Sequence, residues 1–238
     1  MKKFIGILLC LYQETWAAIP PPIQCAKGTY AAASSCAVTL AATGAGHLLV
    51  ATIGLNAVAT TDVTGVADNG SPVNTYVHDT SADATGTLKA NEVWYVCNSN
   101  AGGTTVTFSL STPLTGDCFV CEFYGTATSN CLDTSNQVNS GTTGNPENGA
   151  ALTPTNPNDV LVVGLMPETS VTSVAAPWTG QFGTNHVAST YLISTSLTTQ
   201  TPSFSGDTHA ASNYCSSGAS FFPSPVNCQS PYCGVLGK

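Results

Sequence analysis

The sequence predicts an all-β protein, a two-sheet, jelly-roll-like β-sandwich built from two pseudo-repeated halves. Two observations lead to this fold class. No stretch of the 238 residues shows a sustained apolar period of 3.6 residues, so long amphipathic helices are not expected. Short runs rich in Val, Ile, Thr, Tyr and Phe recur instead between clusters of Gly, Asn, Asp and Pro, a pattern typical of strands and turns.

Twelve runs are predicted to form strands, a number that suits a two-sheet sandwich. They are Ala37–Ala42, His47–Leu55, Val63–Ala67, Asn74–His78, Glu92–Asn98, Thr104–Leu110, Asp117–Tyr124, Asp159–Met166, Val171–Ala175, Val187–Ser194, Thr201–Ser205 and Ser217–Phe222.

An imperfect internal repeat relates the first half, residues 36–133, to the second half, residues 150–223. His47–Gly54 aligns with Asp159–Met166, and the remaining aligned segments follow in the same order in both halves. One possibility is two tandem domains of about 100 residues each. The other is a single jelly roll, in which each half supplies alternate strands to two facing sheets. The jelly roll is favoured, because no clear linker separates the halves and residues 134–149 are predicted to form a long surface loop.

The two chain ends are predicted to lie outside the sandwich, which spans residues 36–223. Residues 1–18 have the pattern of a secretory signal peptide, with two lysines, a nine-residue apolar run and small residues near its end. Nine apolar residues are too few for a membrane span, which needs about 20. Residues 19–35 are predicted to be an N-terminal extension, and residues 224–238 a tail rich in Pro and Cys. The protein is therefore expected to be secreted and to act outside the cell or at its surface.

Nine cysteines follow the predicted signal peptide, and export to an oxidising compartment makes each a candidate for a disulfide. Cys118 and Cys121 have the spacing of a metal or haem motif, but they lie in an apolar run that is predicted to be a strand. Positions i and i+3 of a strand face opposite sides, which disfavours a shared metal. The candidates are Cys25, Cys36, Cys97, Cys118, Cys121, Cys131, Cys215, Cys228 and Cys233, and the last two suggest a local loop closure.

Several short motifs resemble those of a broad group of mostly uncharacterised secreted bacterial β-sandwich proteins. They are Gly46-His-Leu-Leu-Val-Ala, Val63-Thr-Gly-Val-Ala-Asp-Asn-Gly with Asn74-Thr-Tyr, Cys121-Glu-Phe-Tyr-Gly with Leu132-Asp133, Asn158-Asp-Val-Leu-Val and Gly218-Ala-Ser-Phe-Phe-Pro. The resemblance spans about residues 30–223 and consists of strand starts and turns. It implies a fold and an exported protein, and no particular activity.

Charged residues make up only 8% of the chain, and its basic residues are five lysines with no arginine. Binding to nucleic acid depends on clustered Lys or Arg, and binding to an anionic membrane surface does so as well. Neither partner is expected. A surface with few like charges repels its own copies only weakly, so self-association into a homopolymer is the predicted interaction.

No catalytic centre, cofactor site or metal site is predicted. The four histidines are not at metal-ligand spacing from one another, and no Gly-x-Ser-x-Gly motif is present. Asp79 with Asp83, or Asp133 with Asn136, could bind calcium, but no EF-hand or calcium repeat is present. The protein is therefore not expected to be an enzyme.

These features leave two functions. The first is an extracellular structural protein, a self-assembling subunit of a surface filament, layer or matrix. The alternative is a carbohydrate-binding or adhesive module, which would use an exposed aromatic residue to bind a glycan. Trp178, in a Pro-Trp-Thr-Gly loop, is the best candidate for that ligand contact.

Overall fold

The computed structural model describes residues 18–56, 62–84, 89–141, 146–207 and 213–225. These residues form fourteen strands and no helix, which confirms the all-β prediction. The strands are β1 Gln24–Thr39, β2 Leu48–Asn56, β3 Val63–Asp68, β4 Val77–Ala84, β5 Lys89–Val96, β6 Thr105–Phe123, β7 Leu132–Gly141, β8 Glu147–Asn148, β9 Asp159–Met166, β10 Ser173–Val174, β11 Thr179–Phe182, β12 Ala188–Ser194, β13 Ser203–Ser205 and β14 Tyr214–Phe221.

Two large antiparallel sheets make up the sandwich. The first has the order β1-β6-β2-β5-β4, with β3 also paired to β6, and the second has the order β11-β12-β9-β14-β7. A small third sheet has the order β10-β13-β8. The jelly-roll arrangement is not confirmed, because the first sheet takes all its strands from residues 24–123 and the second takes all of its strands from residues 132–221.

The strand pairings of the two halves correspond to each other. β2 lies between β5 and β6, and β9 lies between β12 and β14 in the same way. The first part of the long strand β6 pairs with β3, as β13 pairs with β10. Each half therefore contains a complete set of core strands of its own, and the halves meet face to face.

The central strands are buried on both faces, which explains their unbroken apolar sequences. All eight residues of β9 and all eight of β14 are buried, as are the first eight of β2. One face of β2 contributes Leu49 and Ile53 to the core of the first half. The other face contributes Leu48 and Val50 to a cluster that also contains Val160 of β9.

The predicted N-terminal extension is wrong from Gln24 onward, because this segment is β1, an edge strand of the first sheet. β1 pairs with two parts of β6: Gln24–Tyr30 lie opposite Gly116–Glu122, and Ser35–Thr39 lie opposite Thr105–Ser109. Most side chains of β1 are partly or fully exposed, so its sequence lacks the large apolar residues that would have indicated a strand.

The surface loop predicted at residues 134–149 is wrong for the same reason. Leu132–Gly141 form β7, which pairs with β14 at the edge of the second sheet. The Thr, Ser, Asn and Gln residues of β7 are typical of a loop, but an edge strand with a solvent-exposed face can be this polar.

Six of the nine cysteine candidates form three disulfides, Cys25–Cys121, Cys36–Cys118 and Cys97–Cys131. Cys118 and Cys121 bond to different partners, as expected for strand positions that face opposite sides. Cys215 is buried in the same apolar cluster as Phe119. Cys228 and Cys233 lie outside the described residues, as do residues 1–17 of the predicted signal peptide and residues 226–238 of the predicted tail.

The two halves approach closely at Gly54 in β2. A Cβ atom at this position would lie 2.5 Å from Val187 Cγ1, a methyl group of a fully buried and β-branched side chain. Gly54→Ala is therefore expected to lower the free energy of unfolding by about 2 kcal/mol, measured by urea denaturation. Combining it with Val187→Ala makes room for the new methyl group, so the two changes are expected to cost less together than the sum of their separate effects. Strictly additive losses would contradict this contact.

Candidate functional site

The two halves bring several polar groups to one end of the molecule. Leu48 at the start of β2 and Val160 at the start of β9 belong to the same apolar cluster, so both strands begin at this end. β6 pairs antiparallel with β2, and β14 with β9, so β6 and β14 both finish here. Residues 124–131 connect the halves at this point. We call it the linker end.

The connection between the halves is held firmly. Thr126 forms a β-bridge with Pro223, the Ala127 amide donates to the Phe222 carbonyl at 3.0 Å, and the Ser224 amide donates to the Gly125 carbonyl at 2.7 Å. The disulfide Cys97–Cys131 then ties the end of the connection to the first half. The connection is thus a fixed part of the surface.

A cavity of about 460 Å³ opens between the connection and the second half. One part of its wall is apolar and is formed by Ala127, Phe222, Pro223 and Pro225. The rest consists of hydroxyl and amide residues. These are Thr128, Ser129, Asn130, Thr155, Asn156 and Ser224. None of the described residues that line it carries a charge. We call this cavity the linker-end pocket.

Two carboxyl groups hold the Thr155–Asn156 wall of the pocket. Asp133 accepts hydrogen bonds from the Thr155 amide at 2.8 Å, from the Thr155 hydroxyl at 2.7 Å and from the Ser220 hydroxyl at 3.0 Å. Asp159 accepts from the Asn156 amide at 3.2 Å and lies within hydrogen-bonding reach of Asp133. Burial, and secondarily the neighbouring Asp133, raise the pKa of Asp159 to about 7.

The corresponding place in the first half is built around Glu122, which interrupts the apolar end of β6. Its carboxylate is 1% exposed and accepts from the Gly44 amide at 2.7 Å, from Gln24 Nε2 at 2.5 Å and, with the ring N–H on that nitrogen, from His47 Nδ1 at 2.6 Å. Cys121 and Phe123 face the apolar cluster on the opposite side. Glu122 thus anchors the start of β1 and the loop before β2, which gives it a structural task.

A third buried acid, Glu92, lies in the first half. Its Oε2 accepts a hydrogen bond from Trp94 Nε1 at 2.8 Å and lies 3.7 Å from His78 Nε2, while its Oε1 has no partner among the described residues. Burial raises the pKa of Glu92 to about 7, although the hydrogen bonds from Trp94 and from the Val63 backbone oppose the shift. Burial also lowers the pKa of His78.

The predicted ligand contact at Trp178 is wrong. Its side chain is 7% exposed and packs with Leu192 and Leu152 beneath the small sheet. The Pro-Trp-Thr-Gly sequence indicated a loop, and the loop exists, but it folds inward so that the indole completes a core. Burying such a large apolar side chain is the usual outcome for Trp in a sandwich.

The pairing of Asp133 with Asn136, considered for calcium, is not formed. Asn136 donates its amide to the Ala151 carbonyl, and Asp133 accepts from Thr155 and Ser220. The side chain of Asp83 lies outside the described residues. Within the described residues no three His, Cys, Asp or Glu side chains are grouped so that they could hold a metal ion. The described part of the chain also contains no helix with the length and hydrophobicity of a membrane span.

Comparison with known proteins gives no match. No family model, no curated protein and no solved structure is similar to this chain. The resemblance to secreted bacterial β-sandwich proteins therefore stays a prediction.

Proposed function

We propose that this protein is a secreted extracellular structural protein, whose copies associate into a filament, layer or matrix. The three disulfides indicate an oxidising environment of the kind found outside the cell. Two of them fasten the edge strand β1 to β6. Disulfides of this kind stabilise the fold of a subunit that stays outside the cell.

The observation that carries this proposal is that many acidic side chains are buried, so few charged groups lie on the surface. Of the thirteen acidic residues in the chain, seven are less than 9% exposed. They are Asp68, Glu92, Asp117, Glu122, Glu147, Asp159 and Asp207. The formal net charge of −8 therefore overstates the charge on the surface. Neighbouring copies face little electrostatic repulsion, so modest apolar contacts are enough to hold them together.

Exposed valines near the edge strand β4 offer such a contact. Val73 is 52% exposed and Val77 is 53% exposed. Between them, Asn74 and Tyr76 are buried, so the valines are held on a fixed backbone. β4 pairs only with β5 within its sheet, and Thr80 of β4 also hydrogen-bonds to Gln137 of β7 in the second sheet. A second copy can pack against this patch.

Sedimentation velocity and negative-stain electron microscopy of the mature protein test the proposal. We expect oligomers or ordered assemblies that grow with protein concentration. Val73→Glu combined with Val77→Glu adds two charges to the patch and is expected to shift the protein to monomer. Thr195→Glu combined with Leu197→Glu adds the same charge at another exposed site and serves as the control. A wild-type protein that stays monomeric up to millimolar concentration would exclude the structural role.

A carbohydrate-binding or adhesive module is the second candidate, and the linker-end pocket is the observation that favours it. A non-catalytic role is proposed in both cases, because Glu122 and Asp133 act as structural anchors of loops and strands. The two candidates are compatible, since a surface subunit can also bind a glycan.

A further inference from the structure

We infer that the linker-end pocket binds an uncharged oligosaccharide, with the ring of Phe222 as the apolar face against which a sugar packs. This inference rests on the second candidate function and specifies its site and ligand class. It does not depend on self-assembly.

The pocket is formed in advance of any ligand. Its three wall segments are residues 127–130, 155–156 and 222–225. The first and third are joined by backbone hydrogen bonds, and the second is held by the side chains of Asp133 and Asp159. A volume of about 460 Å³ lies within the range of small-molecule sites, about 300–1,000 Å³. Little binding energy is then lost in ordering the protein.

The charge of the wall selects the ligand class. A cationic side chain favours a phosphate or carboxylate ligand, and no described residue of the lining carries one. An ionised carboxylate favours a cation, and no described lining residue is acidic, because Asp133 and Asp159 lie behind Thr155 and Asn156. The described wall therefore favours a neutral ligand.

Three side chains of the polar wall have hydrogen-bonding groups that a ligand could use. The side chains of Thr128, Ser129 and Asn130 make no hydrogen bond to any other described residue, and together they offer two hydroxyl groups and one amide. The same wall contains the apolar side chains of Phe222 and two prolines. Hydroxyl and amide groups together with apolar side chains match the two aspects of a sugar ring, its hydroxyl rim and its C–H face.

Isothermal titration calorimetry with neutral hexasaccharides tests this inference on the full chain. The probes are cellohexaose, xylohexaose, laminarihexaose, maltohexaose and chitohexaose, with hexagalacturonate as a charged comparison. We expect at least one neutral probe to bind and Phe222→Ala to weaken that binding at least tenfold. Asn130→Asp places a charge in the pocket, and Asp tolerates the positive φ of 46° found there. It is expected to weaken binding by a similar factor.

Tyr124→Ala is the matched control. Tyr124 follows β6 as Phe222 follows β14, and it is 47% exposed, but it does not line the pocket. Its loss is expected to leave the affinity unchanged. If Phe222→Ala lowers the melting temperature, its loss of binding could come from unfolding. The affinity of Asn130→Asp then tests the inference.

Three outcomes would overturn the inference: no neutral probe binds at 5 mM, both pocket variants bind like the wild type, or hexagalacturonate binds best. Sedimentation of the same variants separates this result from the structural role. If a pocket variant no longer binds glycan but still assembles, glycan binding and self-assembly are independent properties.

Discussion

Removing both disulfides that join β1 to β6 is expected to unfold the protein at 37 °C, whereas removing either one leaves it folded. The reason is that the two bridges are nested. Cys25–Cys121 closes a loop with a sequence separation of 96, which corresponds to about 4.7 kcal/mol of loop-closure entropy. Once it is closed, Cys36–Cys118 closes only a ring of about 15 residues, worth about 3 kcal/mol.

Each single removal is thus expected to cost about 3 kcal/mol, because the remaining bridge still closes most of the loop, and the double removal about 7 to 8 kcal/mol. The second figure is comparable to the whole stability of a typical domain. Urea denaturation of the paired Cys→Ala variants measures these losses. Cys97→Ala with Cys131→Ala, whose sequence separation is 34, is the comparison for the loss of a bridge that does not join β1 to β6. A double removal that costs no more than one single removal would contradict the nested model.

The protein is expected to be more stable at pH 5 than at pH 8, and Glu92→Gln is expected to remove a large part of this difference. Burial raises the pKa of Glu92 from 4.5 to about 7. A carboxyl group whose pKa is raised in the folded state favours its neutral form there. Its contribution to stability is therefore fully present below about pH 4.5 and is lost as the pH rises through 7. Asp159, with its pKa also raised to about 7, acts in the same direction.

Gln is neutral, keeps an oxygen that can accept from Trp94 and has nearly the same shape as Glu. At pH 8 we expect Glu92→Gln to raise the free energy of unfolding by about 2 kcal/mol, and at pH 4 to change it little. Glu168→Gln is the control, since it removes an exposed carboxylate. Chemical denaturation across pH 4 to 9 provides the measurement. A gain of equal size at both ends of that range would mean that ionisation of Glu92 is not the cause.

The sequence was most informative where burial is complete. β2 and β9 were both predicted within one or two residues, because continuous apolar runs bounded by Gly and Asn permit few other interpretations. It was least informative at the edges. β1 and β7 each present a solvent-exposed face, so their composition is that of a loop, and only the pairing with β6 and β14 makes them strands.

The sites show the same division. Glu122 is a charged residue within an apolar strand, but its three partners, Gln24, Gly44 and His47, come from other segments and could not be predicted. Trp178 was predicted to be an exposed ligand contact because it lies in a loop. The loop folds inward, and the side chain is part of a buried apolar cluster. The linker-end pocket could not be predicted, since its walls come from residues 127–130, 155–156 and 222–225. Only the meeting of the two halves places these neutral segments together.

The bridge between Cys25 and Cys121 also determines how the molecule would respond to pulling. Tension applied along the chain from its N-terminal side crosses directly from residue 25 to residue 121, so residues 26–120 carry no load. About 330 Å of chain is thereby withheld from stretching, at roughly 3.4 Å per residue. The described residues of the second half contain no disulfide. Under strain the second half can yield and refold as an extensible element, while the first half remains an inextensible block.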